Sequence, residues 1–483
     1  MSLLQNTHAA PAGADPARQH IALQQAVAAR RQVMLTGPIV ATMLRLAAPT
    51  IVVLVAQALV GVAETYFVSF LGTEALAGVA LVFPVFMLMQ TMSNGGVGGG
   101  VASAVARALG AGRKADADAL LLHALVIAVA FGFIFTAGEF LGGPALYRAL
   151  GGNGDALGAA LAYGHFVFGG AFLVWVVSLL AAALRGSGNV VVPAAVTFGS
   201  VFVVLPLSPA LIFGLGPIPR LGVAGAGIAV LIYYLAAAVA LIGYLRSHRA
   251  ALRLTLDFRR VEWRLLVDVL RVGGLSALAT IQSNLTVVLV TGAVGLFGTN
   301  AIAGYGIASR LDYLMIPLVF GLGSSALTMI GTNIGAEQIA RAERIAWVGA
   351  LLAAGLTETI GLVAAFFPRG WLGLFTAEPH VLATGSLYLG IVAPFHGLFG
   401  LGLLLYFAGQ GAGRVAWPVF AGLMRLIVAA LGGWLAVAML GGSLSALFWL
   451  VAAATVTYGG LTAAALLIKG WAQGDTLSAK SRA

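Results

Sequence analysis

The feature that most limits how this chain can fold is a series of apolar segments, each about 20 residues long, that recur along nearly the whole sequence. A segment of that length crosses about 30 Å of hydrocarbon as an α-helix, and only helices and closed barrels satisfy their backbone hydrogen bonds in lipid. The weaker alternating pattern of a membrane barrel is absent. Charged residues make up 9% of the chain, against about 25% in a soluble domain. The sequence therefore predicts an all-α integral membrane protein.

Twelve transmembrane helices can be counted, and their boundaries are uncertain by a few residues. The first six are predicted at about 45–69, 76–106, 117–141, 158–184, 190–214 and 221–245. The second six are predicted at about 268–292, 301–334, 343–367, 382–408, 415–438 and 443–468. Glycine-rich turns such as Gly110-Ala111-Gly112 separate them.

The second half of the chain repeats the first. Arg45 precedes Phe70–Gly78 as Arg271 precedes Leu296–Gly304, a shift of 226 residues (271 − 45). Tyr163 and Pro193 recur as Tyr388 and Pro418, a shift of 225 (388 − 163). Internal duplication of membrane helices is typical of secondary transporters, whose substrate path lies between the repeats. We therefore expect two pseudo-symmetric six-helix lobes around a central cleft.

Basic residues predict the orientation of the helices. They concentrate in the N-terminal tail, in every second loop (Arg107 to Lys114, Arg185, Arg341, Arg414) and in the central linker. The positive-inside rule places these segments and both termini in the cytoplasm. It also accounts for the net charge of +10 without a nucleic-acid partner. We expect a multi-pass membrane protein, working as a monomer.

These patterns predict five segments. They are a cytoplasmic tail (1–37), an N-lobe with helices 1–6 (38–246), a cytoplasmic linker (247–266), a C-lobe with helices 7–12 (267–470) and a C-terminal cytoplasmic tail (471–483). Residues 21–34 are expected to be a loose tail, with a short amphipathic surface helix as the alternative. No cleavable signal peptide is evident, because about the first 35 residues are polar and alanine-rich.

Glu64 is the clearest ionisable residue at membrane depth, about two-thirds along the first span. An ionisable side chain costs free energy in lipid, so its presence there indicates a specific role. Gln57 lies seven residues earlier, which is two helical turns and the same face. A carboxyl group that faces a cavity there can bind and release protons. The alternative is a carboxyl group that only forms a hydrogen bond to a neighbouring helix.

Other polar residues within the spans give weaker signals. Glu358 and Arg425 are predicted to form a buried, structural ion pair. Arg310 and Asp312 are two residues apart and point to different faces, so they are not expected to pair. His396 is expected to be a packing residue, and a proton relay is the alternative. Glu139, near the end of the third span, is expected at the membrane interface.

Amide side chains are candidates for lining a cavity. Gln90 and Asn94 lie four residues apart, and Gln282 and Asn284 lie in the seventh span. Their alternative role is to hydrogen-bond between helices. The sequence holds no cysteine, no cluster with the spacing of metal ligands, no nucleophilic triad and no Walker motif. We therefore expect no cofactor, no metal, no enzymatic activity and no direct use of ATP.

The chain resembles the multidrug and toxic compound extrusion (MATE) transporters, which belong to a superfamily that includes polysaccharide and lipid-precursor flippases. The resemblance covers about residues 38–470. Its elements include Leu44-Arg45-Leu46-Ala47-Ala48-Pro49, Ala63-Glu64-Thr65, Arg107 to Gly112, Leu184 to Asn189, Gly222 to Ala226 and Gly409 to Arg414. Singly these motifs are weak, but their order and spacing are specific. The resemblance implies export of cationic or amphipathic compounds in exchange for protons or sodium ions, by alternating access.

The departures from the family pattern bear on the coupling ion. The family usually has Asp where this chain has Glu64, and many members have Asp where this chain has Ser208. Asn284 stands where some sodium-coupled members have Glu. Fewer carboxylates favour proton over sodium exchange. With Tyr163, Gln90, Asn94 and Gln282, we count Ser208 and Asn284 as candidate cavity residues. The alternatives are a flippase for a lipid-linked precursor and a membrane scaffold that transports nothing.

Overall fold

The computed structural model describes residues 16–469, except residues 217–218, 258 and 260, and its regular secondary structure there is helical. The predicted tail at 471–483 and the first fifteen residues of the predicted N-terminal tail lie outside this part. Eleven helices are long and apolar enough to cross a membrane, and a bent pair brings the number of spans to twelve. The prediction of an all-α, multi-pass membrane protein is confirmed.

We number the spans in chain order. Spans 1 to 6 are Ile39–Ser69, Thr73–Gly110, Lys114–Ala149, the pair Gly154–Gly169 and Ala171–Gly186, Val191–Phe213 and Val223–Arg246. Spans 7 to 12 are Trp263–Gly295, Thr299–Gly335, Ile339–Phe366, Pro379–Gly411, Ala416–Ala438 and Leu444–Ile468. Span 7 thus begins inside the predicted linker 247–266. A short helix, Pro368–Leu372, lies between spans 9 and 10.

Several spans depart from straight α-helix at segments that contain glycine. Span 4 bends by 46° where Gly169 and Gly170 interrupt it. Span 2 contains a π-helical segment, Met92–Val97, which includes Gly95 and Gly96, and span 11 contains another, Ile427–Gly432. Such segments are frequent at functional sites because they change which side chains face a cavity.

The chain before span 1 is not the loose tail that the sequence predicted. Pro16–Thr36 forms a helix, here called the N-helix. Its end is tied to both halves of the molecule: Asn333 Nδ2 donates to the Met34 carbonyl at 3.1 Å, and Arg31 Nη2 donates to the Gly110 carbonyl at 2.7 Å. Met34 is buried. The prediction failed because an alanine-rich helix has little amphipathic pattern of its own and is held by these contacts.

Each half of the chain packs mainly against itself, and the halves meet at the end of the bundle where the N-helix lies (the N-helix end). Small residues allow close contact there. A Cβ on Gly110 would lie 2.1 Å from the Thr332 carbonyl oxygen, and one on Gly335 would lie 2.1 Å from that of Arg107. Helices approach this closely in membranes where glycine removes the side chain. The two lobes are therefore in tight contact at the N-helix end.

Candidate functional site

A polar cavity lies in the N-lobe, among spans 1, 2, 4, 5 and 6. Three of the predicted polar residues line it: Gln57 from span 1 and Gln90 and Asn94 from span 2. Tyr234 from span 6 and Phe320 from span 8 also line it, so that one side chain comes from the other lobe. Apolar and hydroxyl side chains from spans 1, 4 and 5 complete the wall. The π-helical segment that begins at Met92 contains Asn94, which helps to turn this amide towards the cavity.

Arg185 is a lining residue of this cavity that the sequence analysis placed in a cytoplasmic loop. It lies in the last turn of span 4 and is only partly exposed. Its guanidinium group makes no ion pair or hydrogen bond with the described part of the chain. Its backbone carbonyl accepts a hydrogen bond at 3.0 Å from Thr328 of the other lobe. The sequence signal was ambiguous because an arginine at a helix end usually satisfies the positive-inside rule.

Glu64 lies deep in the N-lobe, keeps partial exposure and is not among the residues that line this cavity. Three buried tyrosines, Tyr163 of span 4 and Tyr233 and Tyr234 of span 6, lie within electrostatic range of its carboxyl group. None of the hydrogen bonds of the described residues uses its carboxylate oxygens. The position therefore leaves both oxygens available for a proton.

Hydrogen bonds connect these tyrosines to the amide side chains of the cavity. Gln57 Nε2 lies 3.4 Å from the Tyr233 hydroxyl oxygen, and Gln90 Nε2 donates to that of Tyr234. Asn94 Nδ2 in turn lies 3.3 Å from Gln90 Oε1. The sequence predicted Gln90 as a cavity residue or as an interhelical contact, and the structure gives it both roles; Gln57, predicted to support Glu64, also lines the cavity and contacts span 6. The sequence did not predict Tyr233 or Tyr234, which look like interfacial aromatic residues in an apolar helix.

The remaining predicted cavity residues are not part of this lining. Tyr163 is buried beside Glu64, and Ser208 is buried with no hydrogen-bond partner for its hydroxyl group. Gln282 is buried in the C-lobe, and Asn284 Nδ2 donates to the Thr280 carbonyl of its own helix at 2.9 Å. The amino-acid type at a position does not reveal whether it faces a cavity, since a helix that is apolar all round has no preferred face.

A second polar cluster lies in the C-lobe. Asp312 of span 8 accepts a hydrogen bond at 2.8 Å from the hydroxyl group of Tyr388, and its other oxygen lies 2.9 Å from His396 Nε2. The angle at that second contact is not that of a hydrogen bond, so it is an ion pair when the imidazole is protonated. The sequence gave no signal that would join Asp312 to His396, 84 positions later (396 − 312).

The predicted ion pair between Glu358 and Arg425 is wrong. Glu358 Oε2 instead accepts a hydrogen bond at 2.6 Å from the backbone N–H of Gly397. The Arg425 guanidinium carbon lies 5.2 Å from the ring centre of Phe399 and 5.7 Å from that of Tyr458. Glu358 therefore interacts with a backbone N–H dipole, and Arg425 interacts with the faces of two aromatic rings.

Two further residues lie elsewhere than expected. Arg310 is exposed and lies 5.9 Å from the ring centre of Phe375. Glu139 is buried rather than interfacial, and accepts a hydrogen bond at 2.7 Å from Tyr147. Arg310 and Asp312, as predicted, do not pair with each other; among the described residues Asp312 contacts Tyr388 and His396.

Known proteins resemble this chain over most of its length. The family model MatE matches residues 49–210 and 276–435, one stretch in each half. An FAD transporter of Shewanella oneidensis is 30% identical over 421 residues, which cover 84% of this chain and 90% of that protein. A probable multidrug resistance protein, NorM, of Thermotoga maritima is 25% identical over 380 residues, which cover 78% and 81%.

A solved structure supports the same assignment. A MATE protein crystallised in a bent conformation matches this chain with a TM-score of 0.85 at 23% identity, covering 92% of this chain and 98% of that one. The resemblance drawn from the sequence motifs is confirmed by the family model and by the relative from Shewanella. Because the family model covers more than half of the chain, with one match in each repeat, this chain belongs to the MATE family and is a membrane transporter, not an enzyme.

Proposed function

We propose that this MATE transporter exports its substrate in exchange for protons, with Glu64 as the proton carrier and Gln57 as a supporting residue. One observation carries the proposal: Glu64 lies deep in the N-lobe, partly exposed, against tyrosines that are hydrogen-bonded to the lining of a polar cavity. Intramembrane carboxyl groups in such positions serve as proton relays in many transporters. A sodium ion, which prefers several oxygen ligands, is the alternative coupling ion.

The proposed cycle links protonation of Glu64 to the shape of the N-lobe. Span 1 carries Glu64 and contains Pro49, a point at which a helix can bend. Uptake of a proton from outside favours one conformation of this lobe and releases substrate outward, and proton loss to the cytoplasm restores affinity. Coupling requires that the proton and the substrate compete or bind different states, because otherwise no gradient is transmitted.

The substrates are proposed to be cationic or amphipathic compounds. The names of NorM and of other relatives describe multidrug export, which favours cationic or amphipathic compounds. The FAD transporter of Shewanella is a relative whose named substrate is an anionic dinucleotide, and Arg185 in the cavity favours an anionic substrate. A lipid-linked precursor and a scaffold without transport remain the outcomes that would contradict this proposal.

The orientation is proposed from the distribution of basic residues. Both termini and the linker would lie in the cytoplasm, and the N-helix end of the bundle would face it. The chain is proposed to act as a monomer in the bacterial inner membrane.

The test is transport in proteoliposomes with an imposed pH gradient. Ethidium and FAD are compared as substrates for the wild type, Glu64→Gln and Glu74→Gln. Glu74 is an exposed carboxyl group of the same lobe and serves as the matched control. We expect gradient-driven transport of at least one substrate by the wild type and Glu74→Gln, and transport near background by Glu64→Gln.

Three results would contradict the proposal. Transport that does not depend on the pH gradient would exclude proton coupling. Full activity of Glu64→Gln would move the carrier elsewhere, with Glu358 and Asp312 next to be tested. Failure of both substrates with folded protein would point to lipid-linked substrates.

A further inference from the structure

We propose that Arg185 is the anion-binding residue of the N-lobe cavity, and that the substrate carries a phosphate or similar anionic group attached to a planar aromatic ring. The inference deepens the proposed function, since it assumes that this cavity is where the transported compound binds. It assigns a negative charge to the substrate, which the multidrug relatives would not suggest.

The charge of the cavity is the first argument. Among the described residues that line it, Arg185 is the one with a charged side chain. A site built for cations would place a carboxylate in its wall, but Glu64, an acid of the same lobe, is not among the lining residues. A guanidinium group held away from bulk water without an acidic partner is costly. An incoming anion would provide the missing partner.

The second argument is the arrangement of donors around Arg185. Thr50 of span 1 and Thr197 of span 5 also line the cavity, and their hydroxyl groups make no hydrogen bond within the described part of the chain. Guanidinium groups bind phosphate through two parallel N–H donors, and hydroxyl groups can supply further donors. The cavity therefore contains unused donors from three different spans.

The size of the cavity suggests which part of a substrate it holds. Its free volume is about 40 Å³, and about 10–15 Å³ is needed for one water molecule. A group equivalent to a few waters, such as one phosphate, fits this space, whereas a complete dinucleotide does not. The remainder of the substrate would extend towards the cleft between the lobes, where Phe320 offers an aromatic surface to a planar ring.

Arg185 also connects the cavity to the other lobe. Its backbone carbonyl is hydrogen-bonded to Thr328 of span 8, and Phe320 belongs to that same span. An anion drawn to the guanidinium group would therefore bind at a point where the two lobes touch. This is the position at which a bound substrate can change how the lobes pack.

The test uses two probes with the same ring, FMN, which has a phosphate, and riboflavin, which has none. Binding to the purified full-length chain in detergent is measured by flavin fluorescence without any pH gradient. The variants are Arg185→Gln, Arg185→Lys and, as the matched control, Arg369→Gln, an exposed arginine outside the cavity. Thermal unfolding verifies that each variant is folded.

We expect the wild type to bind FMN at least about tenfold more tightly than riboflavin, as one charge-assisted contact allows. Arg185→Gln should reduce this preference to below about threefold, and Arg185→Lys should be intermediate because an ammonium group is not a two-pronged donor. Arg369→Gln should behave as the wild type. Equal affinities for the two flavins in the wild type, including no binding of either, would overturn the proposal, as would an unchanged preference in Arg185→Gln.

This test separates the inference from the proposed proton coupling. Glu64→Gln should retain the preference for FMN in detergent even though it loses gradient-driven transport. Loss of coupling with a retained preference supports both proposals. A proton-coupled exporter that binds ethidium more tightly than FMN would preserve the proposed function and overturn the anionic substrate.

Discussion

At the scale of single residues, the two lobes have kept a repeated tyrosine but not a repeated acid. Tyr163 and Tyr388 are related by the internal repeat, and each lies beside a carboxyl group. The carboxyl group is Glu64 of span 1 in the N-lobe and Asp312 of span 8 in the C-lobe. Both lobes therefore place an acid near the repeated tyrosine, but only the N-lobe carries that acid on its first span.

The ionisable residues of the C-lobe allow a direct test of these contacts by double-mutant cycles. We expect Asp312→Asn and His396→Gln to be coupled by about 1 kcal/mol in stability, because these side chains touch. Glu358→Gln and Arg425→Gln should be additive within about 0.5 kcal/mol. Thermal unfolding in detergent measures both cycles.

The second cycle is the control for the first, because all four residues lie in the same lobe. Coupling between Glu358 and Arg425, or none between Asp312 and His396, would contradict the contacts described.

At the scale of elements, sequence reasoning predicted the spans well and their irregularities poorly. Length and apolar character define a membrane-spanning helix, so the existence of the spans could be predicted from the chain alone. The bend at Gly169 and the π-helical segments could not, because they depend on which neighbouring helix approaches. The same holds for the site: Glu64 was conspicuous as an acid in lipid, whereas Arg185 and Tyr234 became cavity residues only through the packing of spans 4 and 6.

The N-helix is the element that the sequence did not predict, and its docking can be tested. Asn333 Nδ2 donates to the Met34 carbonyl, so Asn333→Ala removes a buried contact worth about 1 kcal/mol. We expect trypsin to cut after Arg30 and Arg31 about fivefold faster in this variant, because cleavage follows local release of the helix. Quantitative mass spectrometry of the cut chain measures the rate.

The matched control is Asn153→Ala, which changes an exposed asparagine before span 4. It should leave the cleavage rate unchanged. Equal rates in the wild type and in Asn333→Ala would mean that the hydrogen bond does not hold the N-helix on span 8.

At the scale of the whole molecule, the lobes are joined at the N-helix end by polar contacts as well as by glycine packing. Arg107 of span 2 donates from Nη2 to both carboxylate oxygens of Asp268 of span 7, at 2.8 and 2.9 Å. Ser103 donates to the backbone carbonyl of Gln410, and the Gln410 side chain donates to the Gly95 carbonyl at 2.8 Å. Alternating access requires these contacts between lobes to break when the N-helix end opens.

Breaking the ion pair should therefore shift the molecule towards opening at the N-helix end. Asp268 is about half exposed, so the pair is worth about 1 kcal/mol and its loss changes the population of open molecules about fivefold. Because the chain has no cysteine, Ala104→Cys places a single thiol in the buried junction beside Arg107. We expect Asp268→Asn to increase maleimide labelling of this thiol about fivefold. The control Asp155→Asn changes an exposed acid at the start of span 4 and should leave the labelling unchanged. An unchanged labelling rate in Asp268→Asn would show that the glycine contacts alone keep this end closed, and the polar contacts would then serve only to set the register of the two lobes.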